Sequence, residues 1–298
     1  MVDEPTSTSD ERGGGVGRAR GWLHRGWFCR LSDLAIVSGL YVVGCVTAAY
    51  LLAGQPIDSS VVVAAGLCAV GLYLIDRVKL RDRDFDSADL AAMPERHEFL
   101  RHHAVRLRWG SVALFAVSSL LFALHHPWLS VMPPMGLLAV VFYSLGPRHG
   151  ARPKDQLLIK NAIVAAAMAC LVGLVLWAHG VDLLARTQFA LLGWLALVVF
   201  GDAALSDLDD TVSDQRFQTQ TLPNTLGHPW TWAMALLVQI GGSVVLLTLG
   251  PQDRVAWWLG LGIPVSTAVL WLARLGRVRD PIDLRLPLLV AVTMLAGR

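Results

Sequence analysis

The stretch GDAALSDLDDTVSDQRFQTQTLPNTLG places Asp207, Asp210 and Asp214 just past the end of a long apolar run. A helix turns about 100° per residue, so positions i, i+3 and i+7 of one continuous helix share a face. Three carboxylates on one face repel one another and keep their charge only beside something strongly positive, most naturally a divalent metal ion. The preceding run, Phe189 to Gly201, belongs to a segment long and apolar enough to cross most of a bilayer. The pattern predicts an acidic, metal-type site at a membrane surface.

Other polar clusters point elsewhere. Asp82, Asp84 and Asp86 alternate with Arg81 and Arg83, a spacing that suits an extended, solvated loop rather than one helical face. In PERHEFLRHH, His97 and His102 stand five apart, whereas a zinc-protease helix needs two histidines four apart with Glu beside the first. That run reads as an interfacial basic segment. Lys160 opens an apolar segment about a turn inside the membrane, where a lone ammonium is costly without a partner. Snorkelling to headgroups or contact with an anion would each satisfy it, and Asp202 is a possible partner. Cys29, Cys45, Cys68 and Cys170 lack metal spacing and read as packed thiols. Phosphate-cradling glycine loops, nucleophile elbows and basic-aromatic nucleic-acid platforms are all absent from the sequence.

The elements that must hold these residues follow from composition. Of 298 residues, 54% are hydrophobic and 16% charged, with a mean hydropathy of +0.52. A soluble chain carries about 25% charged residues. So much apolar surface needs lipid as part of its solvent, and in lipid the helix is the default way to satisfy the backbone. Nine apolar segments stand out, near 34–54, 61–75, 112–124, 129–145, 157–178, 183–205, 232–249, 255–272 and 284–296. Residues 1–30 form a polar, Gly/Arg-rich tail with an interfacial segment and lack the apolar core of a secretory signal. Residues 31–298 are expected to form one multi-pass helical membrane domain.

With a cytoplasmic N-terminus, the outer side holds only Arg186, Arg254 and the terminal Arg298, while the other Lys and Arg residues after the tail fall on the inner side. This positive-inside bias fixes the expected orientation and puts both acidic clusters on the cytoplasmic side. Ionisable groups also avoid the expected bilayer centre, which disfavours a proton- or ion-coupled carrier.

Asp207, Asp210 and Asp214 are followed by Thr221-Leu222-Pro223 and then Leu226-Gly227. In this order the chain resembles the UbiA-type intramembrane prenyltransferases, whose second aspartate motif reads D-x-x-D-x-x-x-D and continues into T-L-P and L-G. The resemblance implies nine transmembrane helices with aspartate motifs at the cytoplasmic ends of the second and sixth. The first motif of the family is similar to N-x-x-x-D-R-x-x-D. Here Asp76-Arg77 match its centre, while Leu72 holds the Asn position and Leu80 the last Asp position. By the same resemblance Asp76, Asp207, Asp210 and Asp214 would be the metal-binding and catalytic carboxylates. Arg77, Arg148 after Tyr143, and Lys160 would contact the diphosphate. The implied activity is Mg²⁺-dependent transfer of a prenyl group from an isoprenyl diphosphate to an aromatic or other lipophilic acceptor in the cell membrane, with the site facing the cytoplasm. The two leucines in the first motif motivate an alternative: a non-catalytic member that binds a polyprenyl lipid or a partner.

Overall fold

The computed structural model describes residues 27–79, 94–144, 156–216, 219–275 and 277–296, and these are helical apart from turns and connections. In chain order the α-helices are α1 Trp27–Asp33, α2 Ile36–Leu52, α3 Ser59–Val78, α4 Pro94–His102, α5 Ala104–His125, α6 Met132–Ser144 and α7 Ile159–Ala178. They continue with α8 Arg186–Ser206, α9 Thr211–Arg216, α10 Leu222–Leu226, α11 His228–Leu249, α12 Arg254–Ala273 and α13 Arg279–Ala296. A 3₁₀ turn, Pro127–Val131, links α5 to α6.

Every apolar segment read from the sequence overlaps one of these helices. Six of them (α3, α5, α7, α8, α11 and α12) are long and apolar enough to cross a membrane. At 1.5 Å per residue their 20 to 22 residues match a hydrocarbon layer of about 30 Å. Ile36–Leu52 and Pro127–Val141 are shorter apolar helices. Helix α13 carries Arg279, Asp280, Asp283 and Arg285 in its first two turns.

Local chemistry sets the ends. Asp58 caps α3 by accepting from the Ser60 and Val61 amides, and Asp253 caps α12 through the Ala256 amide. Gly227 adopts φ 83°, a conformation that favours glycine, and Pro229 follows in the first turn of α11.

Packing places α2 at the centre. It touches α3, α7 and α13, and its buried residues run all round its circumference. Helices α7, α8, α11, α12 and α13 then pack in succession, each against the next, while α5 and α6 lie against α3 on the other flank. Outward faces stay apolar. Val105, Trp109, Val112, Leu120 and Leu124 on α5, and Trp257, Trp258, Leu261, Val265 and Val269 on α12, are exposed. That is the pattern of a surface whose solvent is lipid.

Close packing between α2 and α13 depends on Gly44. A Cβ there would meet the Pro287 ring and backbone nitrogen at 2.9 Å. Gly44→Val therefore costs about 1–3 kcal/mol, read as a lowered thermal midpoint in detergent. Gly241→Ala, where an added Cβ meets no atom within 4 Å, leaves the midpoint unlowered. Equal behaviour of the two variants refutes the close contact.

Candidate functional site

The aspartate row does not lie on one helix. Helix α8 stops at Ser206, residues 207–210 form a turn, and α9 begins at Thr211. Within the turn the amides of Leu208, Asp209 and Asp210 bond three residues back, to Leu205, Ser206 and Asp207. This tighter winding turns the carboxylates away from the common stripe that an unbroken 3.6-residue repeat gives. The expectation of a single helical face is corrected on that ground.

Asp207 is 2% exposed and caps α8. Its Oδ1 accepts from Lys160 Nζ at 2.5 Å, bringing the start of α7 onto the end of α8. Its Oδ2 is buried with no hydrogen-bonding partner. Burial raises the Asp207 carboxyl above the ordinary carboxylate range, against the pull of Lys160. Lys160 follows directly on Leu158 and Ile159, and Leu158 holds a left-handed φ of 66°, a conformation that costs a bulky residue about 1–3 kcal/mol.

Asp210 turns to α13, where Arg279 Nη2 donates to its Oδ2 at 2.5 Å and to the Ser206 carbonyl at 3.2 Å. Burial opposes ionisation, but Arg279 and Lys160 outweigh it and hold Asp210 below the ordinary range. Asp209 accepts from the Val278 and Arg279 amides, satisfying open N–H groups at the start of α13. Asp214 lies in the first turn of α9. Burial, reinforced by Asp210 and Asp207 and opposed by Lys160, pushes its carboxyl up to about 7. Its Oδ2 is likewise buried and unpartnered.

Unsatisfied groups gather at this end. Among the described residues, eight buried side-chain polar atoms lack partners. Five of them are Asp207 Oδ2, Asp214 Oδ2, Thr221 Oγ1, Asn224 Oδ1 and Asn161 Oδ1, from the segments around the turn and the start of α7. Native interiors leave few such atoms, and each calls for a further partner such as a water or an ion.

The first motif is arranged differently. Asp76, at the end of α3, pairs with Lys79 at 3.0 Å and its side chain is 44% exposed. Arg77 donates to the carbonyls of Ser32 and Asp33, clasping α1 to α3, and lies close enough to feel the charges of Arg96 and Arg279. Leu72, in the Asn position, packs over Gly136 of α6. Leu80, Asp82, Asp84, Asp86 and Arg148 lie outside the described residues, as does the tail before Trp27. The structure thus brings together Asp207, Asp210, Asp214 and Lys160, and it adds Arg279 and Asp209, which no spacing in the sequence singles out.

Asp202 is not the partner of Lys160. It is 3% exposed inside the bundle and accepts from Tyr41 Oη and Gln239 Nε2, each at 2.8 Å, and from Arg285. Thr267 Oγ1 donates to Gln239 Oε1 at 2.6 Å, so the knot ties α2, α8, α11, α12 and α13.

The six long apolar helices, with an acidic turn at the end of one, invite comparison with known proteins. A sequence model of the UbiA prenyltransferase family matches residues 40–285. The chain belongs to the UbiA prenyltransferase family. A solved structure, the apo form of a UbiA homolog from Aeropyrum pernix K1, superposes with a TM-score of 0.56 at 18% identity, covering 87% of this chain and 97% of that one. At that identity the likeness establishes a shared UbiA fold. A search of curated protein sequences finds no match. Membership makes this a UbiA-type membrane protein, helical among the described residues apart from turns and connections, and its sequence run D-x-x-D-x-x-x-D extends from the turn after α8 into α9.

The open carboxylate oxygens at this end of the bundle are of the chemistry that a divalent cation takes. Among the described residues no three His, Cys, Asp or Glu side chains converge to hold a metal unaided. Mg²⁺ does not require that: it commonly takes one or two carboxylates and completes its shell with phosphate oxygens and water. The buried open oxygens of Asp207 and Asp214 are donors of that kind.

Proposed function

We propose that this protein transfers a prenyl group from an isoprenyl diphosphate to an aromatic or other lipophilic acceptor within the cell membrane. In this reading Mg²⁺ is held at the turn after α8. The observation that carries it is the pair of buried, unpartnered carboxylate oxygens on Asp207 and Asp214 beside the Lys160 ammonium. When bound, the cation offsets negative charge that develops on the departing diphosphate. Lys160, fixed by Asp207, presents a positive charge that needs no rearrangement as that charge develops, the condition for effective electrostatic catalysis. Asp210 anchors the turn through Arg279. Asp76 and Arg77, at the end of α3, complete the proposed site from the first-motif side, Asp76 by exchanging its Lys79 partner, and Arg148 is a further proposed diphosphate contact. Apolar helix faces suit a prenyl tail and a lipophilic acceptor.

The same reading has nine crossings, an N-terminal tail over residues 1–30 in the cytoplasm, a membrane domain over 31–298, and the site at the cytoplasmic face. It is supported by the concentration of Lys and Arg on one set of connections. Helix α1 straddles that boundary and is tied to α13 by a 2.6 Å hydrogen bond from Ser32 Oγ to Asp280.

A second reading, a non-catalytic member that binds polyprenyl lipid, has its own support in the Asp76–Lys79 pair and in Leu72 packed over Gly136. Protein reconstituted in lipid nanodiscs with an isoprenyl diphosphate and an aromatic acceptor separates the two. Pyrophosphate release that falls to background with EDTA and returns with Mg²⁺ is the expected result. Tight binding of polyprenyl lipid with no release at any Mg²⁺ concentration selects the second reading.

A further inference from the structure

We propose that His179 is a proton-operated switch at the end of the bundle opposite the acidic turn. As a neutral imidazole it takes the Tyr50 hydroxyl of α2 as its donor, and as an imidazolium it turns to Asp58 at the start of α3. The proton therefore decides which neighbour holds the end of α7. Lys160 and His179 stand at the two ends of this 20-residue helix, about 30 Å apart, so the switch lies outside the site already described. In the orientation proposed above, this end faces away from the cytoplasm, so the pH it meets is the external one.

His179 caps the C-terminus of α7, and its side chain is 15% exposed. Its Nδ1 lies 2.9 Å from the Val175 carbonyl, which can only accept, so that nitrogen carries a proton in either state. Nε2 is then the nitrogen that titrates. Two groups face it. Tyr50 Oη stands 3.2 Å from Nε2 and 3.4 Å from Nδ1, and it can donate to an unprotonated Nε2. Asp58 Oδ2 stands 3.6 Å from Nε2, an ion-pair distance that becomes attractive only when Nε2 is protonated, because a carboxylate has no proton to give.

The surroundings keep Asp58 charged through the change. Its Oδ1 accepts from the Ser60 and Val61 amides and the Ser60 hydroxyl, and its Oδ2 also faces His125 Nδ1 at 3.2 Å. Burial opposes ionisation, but the Ser60 and Val61 bonds and His125 outweigh it and hold the Asp58 carboxyl below the ordinary range. His125 can donate to Asp58 as a neutral Nδ1–H tautomer, so it need not titrate with His179. His126 stands edge-on to His179 with ring centroids 4.8 Å apart, and burial together with His179 holds it below the ordinary imidazole range. The 3₁₀ turn Pro127–Val131 adds no titratable group. Asp182, after α7, accepts from the Leu184 amide, and Arg186 opens α8 in an exposed position; among the described residues neither pairs with His179. His179 thus meets one donor and one fixed negative charge, the two groups that a two-position imidazole requires.

NMR of the full chain in lipid nanodiscs, labelled with ¹⁵N-histidine, reads both ring nitrogens between about pH 5 and 8, with His179→Gln identifying the signals. Nδ1 is expected to stay protonated throughout, while Nε2 gains its proton as the pH falls. Tyr50→Phe takes the donor from the neutral form and raises the titration midpoint by about half a unit to one unit. Asp58→Asn keeps the cap of α3, takes the charge from the protonated form, and lowers the midpoint by about one unit. Opposite displacements in the two variants are a signature that a merely structural histidine does not give. A midpoint that fails to move, or moves the other way, in either variant overturns the switch. So does a wild-type Nε2 that keeps one state across the range, or an Nδ1 that titrates. If Asp58→Asn does not fold, the wild-type titration and Tyr50→Phe still decide the matter.

Discussion

Asp207→Asn lowers pyrophosphate release by at least about a hundred- to a thousandfold at saturating Mg²⁺, the range found when one preorganised electrostatic partner is taken from a reacting centre. The substitution keeps volume and removes charge where charge is used twice. Asp207 Oδ2 loses its value as a cation ligand, and Lys160 loses the carboxylate that fixes it at 2.5 Å. The amide oxygen of the new side chain can still accept from Lys160, but without the carboxylate charge that holds the ammonium at the turn, and its NH₂ puts a donor where Asp207 Oδ2 stood. Because the Lys160 side chain is 26% exposed, it can reach water or a headgroup, and the protein still folds. Release is compared with wild type at equal amounts of folded protein, judged by size-exclusion elution in detergent. Wild-type turnover in the variant removes the turn from the chemistry altogether.

Asp202→Ala, by contrast, strikes the fold. Arg285 is 5% exposed, and the loss of Asp202 leaves a guanidinium inside the bundle with Thr267 Oγ1 and the Ile263 carbonyl as its only other hydrogen-bond partners among the described residues. Breaking a buried pair in this way costs about 3–5 kcal/mol. Tyr41 and Gln239 lose an acceptor as well, and five helices lose a shared tie. Replacing both charges, as Asp202→Leu with Arg285→Met, recovers most of the stability, because the desolvation cost of the pair disappears with its attraction. Unfolding in graded SDS ranks the three proteins. A single-variant loss below about 1 kcal/mol, or a double variant no better than the single, contradicts the account. Any fall in turnover that accompanies Asp202→Ala is then assigned to displacement of the end of α8, just downstream at Ser206.

These two aspartates differ in how legible they are. Asp207 is readable because the spacing of three acids after an apolar run, followed by Thr221-Leu222-Pro223 and Leu226-Gly227, is local in the chain. Each part has a local cause: an extended Thr221 before α10, Pro223 in its first turn, and a left-handed Gly227 before α11. Asp202 is visible as an acid near a helix end, but proximity in hydropathy points it at Lys160, the wrong partner. Arg285 lies 83 residues away, and helices that are apolar nearly all round carry no periodic mark of which neighbour they face. Arg279 escapes sequence reasoning for the same cause. It stands 69 residues from Asp210, and nothing near position 279 signals that α13 packs beside α8.

The amino-acid order determined the helices, their apolar character, the family and the acidic cluster after α8, because those depend on hydropathy runs, capping residues and short spacings; that the cluster begins in a turn was decided by the structure. The tertiary structure alone decided how the carboxylates are spent: Asp207 on Lys160, Asp210 on Arg279, Asp76 on Lys79, with open oxygens left on Asp207 and Asp214. Ion pairing acts over a few ångströms and ignores distance along the chain, so it is settled only once the helices have chosen their neighbours.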